Sequence, residues 1–162
     1  MKTIIIYSSK YGSTADCAKL LSAGLSSAVE LANIDKMNAK NIPLENFDKV
    51  ILGSSIYIGG ISRMMRTFCN ENVDILSKKR VGIFLCCGFP AQMNEYLAKN
   101  FPAALLKNAV AIENFGGEAR VDKLKVMDKL IMKAATKGNY RDLTISHENI
   151  KSFIKNFNGC IN

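Results

Sequence analysis

The chain has 162 residues, of which 48% are hydrophobic, enough to bury a substantial core and too many for a disordered chain. A net charge of +8 calls for an anionic partner or surface, but no DNA- or RNA-reading motif accompanies it, so nucleic acid is not expected. No apolar run approaches the ~20 residues of a membrane span, and Ile4 to Ile6 is too short for a secretory signal core.

The first element, starting at Thr3, is a β-branched run that predicts a buried strand, ending in Ser8-Ser9-Lys10-Tyr11-Gly12-Ser13-Thr14. A helix is expected over Ala15 to Ala28, with Ala18, Leu21 and Leu25 on one face and Ser13 and Asp16 spaced as a capping box. Val29 to Ile34 reads as an edge strand and Asp35 to Asn46 as a loop with a short helical turn. Lys49 to Gly53 is a buried strand running into the loop Ser54-Ser55-Ile56-Tyr57-Ile58-Gly59-Gly60. A helix over Ser62 to Asn72 turns Met65, Phe68 and Cys69 inward, and Arg80 to Cys86 is a central strand. The loop Cys87-Gly88-Phe89-Pro90-Ala91-Gln92 leads into a helix over Met93 to Asn100, stopped by Phe101-Pro102. Val110 to Phe115 is the fifth strand, Val121 to Lys137 a basic helix, and Ser146 to Asn158 a last helix with Ile150, Phe153, Ile154 and Phe157 on one face.

Strands alternating with helices predict an α/β fold: three layers around a doubly wound, five-stranded parallel sheet, in one domain over residues 1–162 with a basic helical insertion at about 118–141. In such a fold a ligand sits at the carboxyl ends of the strands, where the strand order reverses, and the three loops all lie there. The first loop joins a strand to a helix N-terminus, which offers unpaired N–H groups and a partial positive charge to a phosphate. Gly12 permits close approach, and Ser9, Ser13 and Thr14 add hydroxyl donors. There is no G-x-G-x-x-G dinucleotide fingerprint, no Walker loop, no Cys before an Arg as in thiol phosphatases, and no acidic pair after the first strand as in receiver domains.

The five cysteines, Cys17, Cys69, Cys86, Cys87 and Cys160, show no C-x-x-C or zinc spacing and read as reduced structural thiols. The expectation is a cytoplasmic protein, with a peripheral position at the inner face of a membrane as the variant. The one histidine, His147, lies near the start of the last helix, so no hydrolytic triad, no catalytic side chain and no metal site is expected. Chemistry, if any, would belong to a cofactor.

Ser9-Lys10-Tyr11-Gly12-Ser13-Thr14 resembles the T-x-T-G-N-T phosphate loop of the flavodoxins, with Tyr11 where a small hydroxyl residue is usual. The resemblance follows the whole chain in element order and implies FMN as cofactor. By that resemblance Ser54 and Ser55 would contact the ribityl chain or phosphate. Tyr57 or Ile56 would lie against the ring in the segment that ends at Gly59, and Cys87, Gly88 and Phe89 would meet the pyrimidine edge. Phe89 departs from the usual D-x-x-x-Y pattern of the third loop.

Gly116-Gly117-Glu118-Ala119-Arg120, followed by Met127-Asp128-Lys129-Leu130-Ile131-Met132-Lys133, resembles the same region of the menaquinone-dependent protoporphyrinogen oxidases, although the loop Cys87 to Met93 lacks that family's long insertion. The resemblance leaves three functions open: an FMN oxidoreductase of that kind, a flavodoxin-type electron carrier without a substrate of its own, and a non-redox flavodoxin-fold binding module. The partners implied are a redox protein or quinone, an acidic small-molecule substrate, or an anionic membrane surface. Glu118 to Arg141 carries the basic residues Arg120, Lys123, Lys125, Lys129, Lys133, Lys137 and Arg141. Its predicted apolar stripe is Val121, Leu124, Met127, Leu130, Ile131 and Ala134.

Overall fold

The computed structural model describes residues 1–118, 120, 122–137 and 143–159. Ala119, Val121, Arg141 and Cys160, named above, lie outside the described residues. Five parallel strands, β1 (Lys2–Ser8), β2 (Ala28–Asn33), β3 (Lys49–Ser55), β4 (Arg80–Cys86) and β5 (Ala109–Asn114), form one sheet in the order β2-β1-β3-β4-β5. β1 lies between β2 and β3, with Ile5 beside both Leu31 and Ile51. The order therefore reverses next to β1, and a crevice opens past its carboxyl end.

The central strands are apolar on both faces because both faces are covered. Ile4, Ile6, Val50, Leu52, Val81, Ile83 and Leu85 point to one side, where Met65 and Phe68 of α2 (Arg63–Glu71), Leu76 of α3 (Val73–Leu76), Leu97 of α4 (Met93–Asn100) and Leu105 of α5 (Ala103–Asn108) complete the core. Ile5, Tyr7, Ile51, Phe84 and Cys86 point to the other side, against α1 (Ser13–Gly24) and α7 (His147–Asn158). On this side Phe84 stacks on Phe115 at 4.6 Å between ring centroids, and Phe115 meets Phe153 edge-on at 5.4 Å. The remaining described helix, α6 (Val126–Ala135), follows β5 and lies at the loop end of the sheet.

Several boundaries differ from the sequence reading. Helix α1 begins at Ser13 rather than Ala15, capped by Gly12, and ends at Gly24 rather than Ala28. The expected capping box is absent because Gly12, not Ser13, is the N-cap, so the Asp16 N–H donates to Gly12 O and the Asp16 carboxylate is turned to Arg120. Leu25 is extended and buried, so the chain leaves the helix there to enter β2. Strand β3 continues through Ser54 and Ser55, which pair with Leu85 and Cys86 and so belong to the sheet rather than to the loop. The two short helices α3 and α5 had no clear periodic signal; Pro102 does not merely end α4 but caps α5. The basic helix is shorter than Val121 to Lys137, with Leu124 in the turn before it.

Candidate functional site

The first loop is held in shape by its neighbours. Gly12 has φ 98°, in the left-handed region, and caps α1 without a side-chain hydrogen bond. A residue with a Cβ would be strained there, and that Cβ would stand 2.7 Å from the Arg120 guanidinium. Ser9 Oγ accepts from the Ala15 backbone N–H at 3.1 Å. Asp35, just past β2, accepts from Ser8 Oγ at 2.8 Å and from the Ser9 N–H at 2.7 Å. Arg120 lies over the loop, bonded to Asp16 and, at 3.0 Å, to Glu118. The hydrogen bond from Arg120 holds the Asp16 carboxyl below its ordinary range. Thr14 is buried, and among the described residues its hydroxyl meets no nitrogen or oxygen partner and only the Cys86 thiol, a weak one.

The second loop turns tightly at Tyr57–Gly60, which exchange hydrogen bonds of 2.8 and 3.1 Å. Both central residues, Ile58 at φ 48° and Gly59 at φ 71°, are left-handed. For a β-branched side chain this costs about 1–3 kcal/mol, and Asn100 anchors the turn by donating to Gly59 O at 3.1 Å and accepting from Ile61 N at 3.2 Å. The third loop is tied down by buried Asn114, which accepts from Cys87 N at 3.1 Å and donates to Cys87 O at 3.0 Å. Burial pushes the Cys87 thiol up, opposed by the Phe89 N–H that it accepts at 3.3 Å. The Cys86 thiol is raised by its contact with Cys17 and by burial, and Cys69 is pushed up to about 12 by burial. These thiols stay protonated at neutral pH, which suits a structural role.

Beside a cavity of about 240 Å³ between Cys87, Gly88 and Pro90 of the third loop and Asn114, Gly117 and Ser146, two others flank these loops. One, about 400 Å³, is polar and lined by Ser9, Lys10, Tyr11, Gly12 and the further lysines Lys36 and Lys123. The other, about 310 Å³, is an apolar slot between Ile56, Tyr57, Phe89 and Gly88 on one side and Leu124, Ile131 and Met132 of the α6 region on the other. Asp128, only 6% exposed, lines the slot and is bonded by residues of the polar cavity. Its carboxylate accepts from Lys10 Nζ at 2.9 Å and from the hydroxyls of Tyr11 and Tyr57. Lys10 Nζ also lies 4.5 Å from the centroid of the Tyr57 ring.

The structure thus gathers Ser9, Lys10, Tyr11 and Gly12 at the polar cavity and Ile56, Tyr57, Gly59, Cys87, Gly88 and Phe89 at the slot. Ser13 and Thr14 open α1 and line neither cavity. Ser54 lines neither cavity: it is fully buried, donating to Ser55 O and accepting from Ser62 N. Ser55 likewise lines neither cavity. The expected apolar stripe of the basic helix is corrected. Met127 and Leu130 are 66% and 59% exposed and Ala134 is exposed, while Leu124, Asp128 and Ile131 face the slot. Asp35, Asn114, Arg120 and Asp128 were missed as site residues. Only Asp35 left a usable signal, as a carboxylate directly after a strand adjacent to β1.

A family model described as a flavodoxin domain matches residues 4–144. No curated protein matches the chain. Among solved structures, the chain is similar to a short-chain flavodoxin associated with a non-canonical PDU bacterial microcompartment, at 13% identity and TM-score 0.54, covering 86% of this chain and 99% of that one. It is also similar to rubredoxin oxygen:oxidoreductase from Desulfovibrio gigas, at 18% identity and TM-score 0.53, over 94% of this chain. A flavodiiron core from Synechocystis is similar at 19% identity and TM-score 0.53, over 86% of this chain. The chain spans only 37% of the length of each of the last two, and at these identities the likeness concerns the fold.

Proposed function

The chain belongs to the flavodoxin-domain family, and from that premise we propose that it binds FMN and serves in electron transfer. The observation that carries the reading is the Thr14 hydroxyl, buried beside the left-handed cap Gly12 at the start of α1 and met only by the Cys86 thiol. A thiol is a weak partner for a buried hydroxyl, and a phosphate oxygen would be a much stronger one. The lysine-lined cavity suits a phosphate and the apolar slot suits a planar ring. FMN, when bound, supplies reversible electron transfer at its ring. The chain's part is to hold the phosphate with the first loop and to shield the ring with Tyr57 and Phe89, both partly exposed at the slot.

Titrating FMN into flavin-free protein while following flavin fluorescence tests the reading. Thr14→Ala should weaken binding by about one to two decades, the scale of a hydrogen bond to a charged group. Gly12→Val should weaken it further by moving the loop off its left-handed angle. Unchanged affinity in both variants would refute FMN capture by this loop.

A narrower reading concerns partners. Lys125, at the N-cap of α6, and Lys129 and Lys133 on the helix stand exposed alongside the exposed Val126, Met127 and Leu130. This basic and apolar face supports an anionic counterpart: an acidic redox protein, a membrane surface holding a quinone, or the carboxylates of a porphyrinogen-like substrate. Among the described residues no helix is long and apolar enough to cross a membrane. Changing the three lysines together to Glu should leave FMN affinity intact. It should also weaken salt-sensitive binding to anionic vesicles, or raise KM for porphyrinogen oxidation with a quinone acceptor. Parental behaviour in both assays at low salt would remove the anionic counterpart.

A further inference from the structure

Helix α6 is attached to the rest of the molecule in an unusual way. Among the described residues, none of its side chains belongs to either hydrophobic core. Its single buried side chain is a carboxylate, Asp128. Ile131 and Met132 are half-buried and face the slot rather than packed strands. Among the described residues, the hydrogen bonds that tie the side chains of the helix to the rest of the molecule are those from Lys10, Tyr11 and Tyr57 to Asp128.

Those three donors come from two different loops, and they converge on one carboxylate that is almost wholly removed from water. A carboxylate in that position needs several charge-assisted partners, and it has them. The same three donors would serve any other oxyanion equally well. The aspartate also links residues of the polar cavity and the apolar slot through its bonds, since Lys10 and Tyr11 line the first and Tyr57 and Asp128 line the second. A ligand whose anionic group reached these donors would have to displace Asp128.

We propose that Lys10, Tyr11 and Tyr57 form an oxyanion-binding site that Asp128 occupies from within the chain. On this reading α6 is a lid, released when a phosphate or carboxylate of a ligand takes the aspartate's place. The incoming oxyanion inherits the Lys10 ammonium and the two tyrosine hydroxyls, and Asp128 leaves with the helix for water. No bond is made or broken beyond these hydrogen bonds, so the exchange is a competition between two anions for one set of donors. The proposal borrows the flavin reading only for the choice of two probes.

Amide hydrogen exchange across residues 126–135 of the flavin-free full chain tests it, with α7 as the internal control. Asp128→Ala, and separately Tyr11→Phe with Tyr57→Phe, should raise exchange in α6 about tenfold or more, the scale of one lost hydrogen bond to a charged group, and leave α7 unchanged. Inorganic phosphate or acetate, at ionic strength matched with chloride, should raise α6 exchange in the parent and have no effect on Asp128→Ala. An effect of FMN that riboflavin does not reproduce identifies the nucleotide phosphate as the natural occupant. An effect of acetate on the FMN-loaded parent identifies a substrate carboxylate. If α6 exchanges no faster in Asp128→Ala than in the parent, there is no latch. If the variants open but neither anion opens the parent, there is no oxyanion site. A parent that opens with phosphate yet ignores FMN keeps the oxyanion site and shows that the flavin phosphate does not use it, while the FMN titration alone decides the flavin reading.

Discussion

The last two helices of this protein are both amphipathic and close in sequence, yet they are held by opposite means. Helix α7 buries Ile150, Phe153 and Phe157 against the sheet, with Phe153 and Phe157 fully enclosed, and Arg80 fastens its end by donating to Phe157 O at 2.8 Å and Gly159 O at 2.7 Å. Helix α6 buries one carboxylate and turns Val126, Met127 and Leu130 outward. Apolar burial is non-directional and grows with area, so α7 cannot leave without exposing a core. A carboxylate held by three donors has an alternative in water, so α6 is tied by bonds that another anion can replace. One helix therefore belongs to the fold and the other to the site.

The largest effect should come from Phe153→Ala. It removes a ring that meets both Phe115 and Phe157, and it should cost about 3–5 kcal/mol of unfolding free energy in a denaturant titration. Ile131→Ala in α6, by contrast, should move the same midpoint little, since Ile131 is only half-buried. A comparable loss at Ile131 would erase the distinction between the helices. Next is Gly82→Ala in β4, whose new Cβ would stand 2.5 Å from Phe153 Cζ and 2.9 Å from Phe157 Cδ2. Overpacking of this kind typically costs about 1–3 kcal/mol, read as a lower melting temperature, and a neutral result would mean that α7 sits less tightly than its burial implies.

A smaller effect is expected at Arg120, which joins the segment before α6 to α1 through Asp16. The Arg120 hydrogen bond lowers the Asp16 carboxyl below its ordinary value of 3.8. A carboxyl depressed in the folded state stabilises above its unfolded value and loses that contribution as pH falls through the folded one. Arg120→Ala should therefore destabilise at neutral pH, and the gap to the parent should close as pH drops below 3.8. Because Asp16 is 39% exposed, solvent screening keeps the effect under about 1 kcal/mol. A gap that widened in acid would contradict the pairing. The smallest effect belongs to Leu130→Ser on the outer face of α6. It should leave unfolding unchanged within about 0.5 kcal/mol, and a larger loss would mean that this face packs against something in solution.

Much of this architecture is legible in the sequence because it is written in local periodicity. The run Ile4-Ile5-Ile6 can bury both faces only inside a covered parallel sheet, and Arg80 to Cys86 and Met93 to Asn100 appear in the structure with the boundaries their patterns predict. The first loop was legible for the same reason: a strand, a glycine with hydroxyl neighbours and a helix are consecutive in the chain, so proximity in space follows from proximity in sequence. Ser54 shows where this stops, because a serine after a glycine reads as loop until β4 pairs with it and draws it into the sheet.

Helix α6 shows the limit most fully. Its own periodicity selects Met127 and Leu130 for the inner face, and hydrophobicity alone would bury them. The structure buries Asp128 instead, because Lys10, Tyr11 and Tyr57 wait for it 118, 117 and 71 residues away in sequence. A charge goes inward only when its partners are already there, and that depends on how the sheet brings the loops together rather than on the residues beside it.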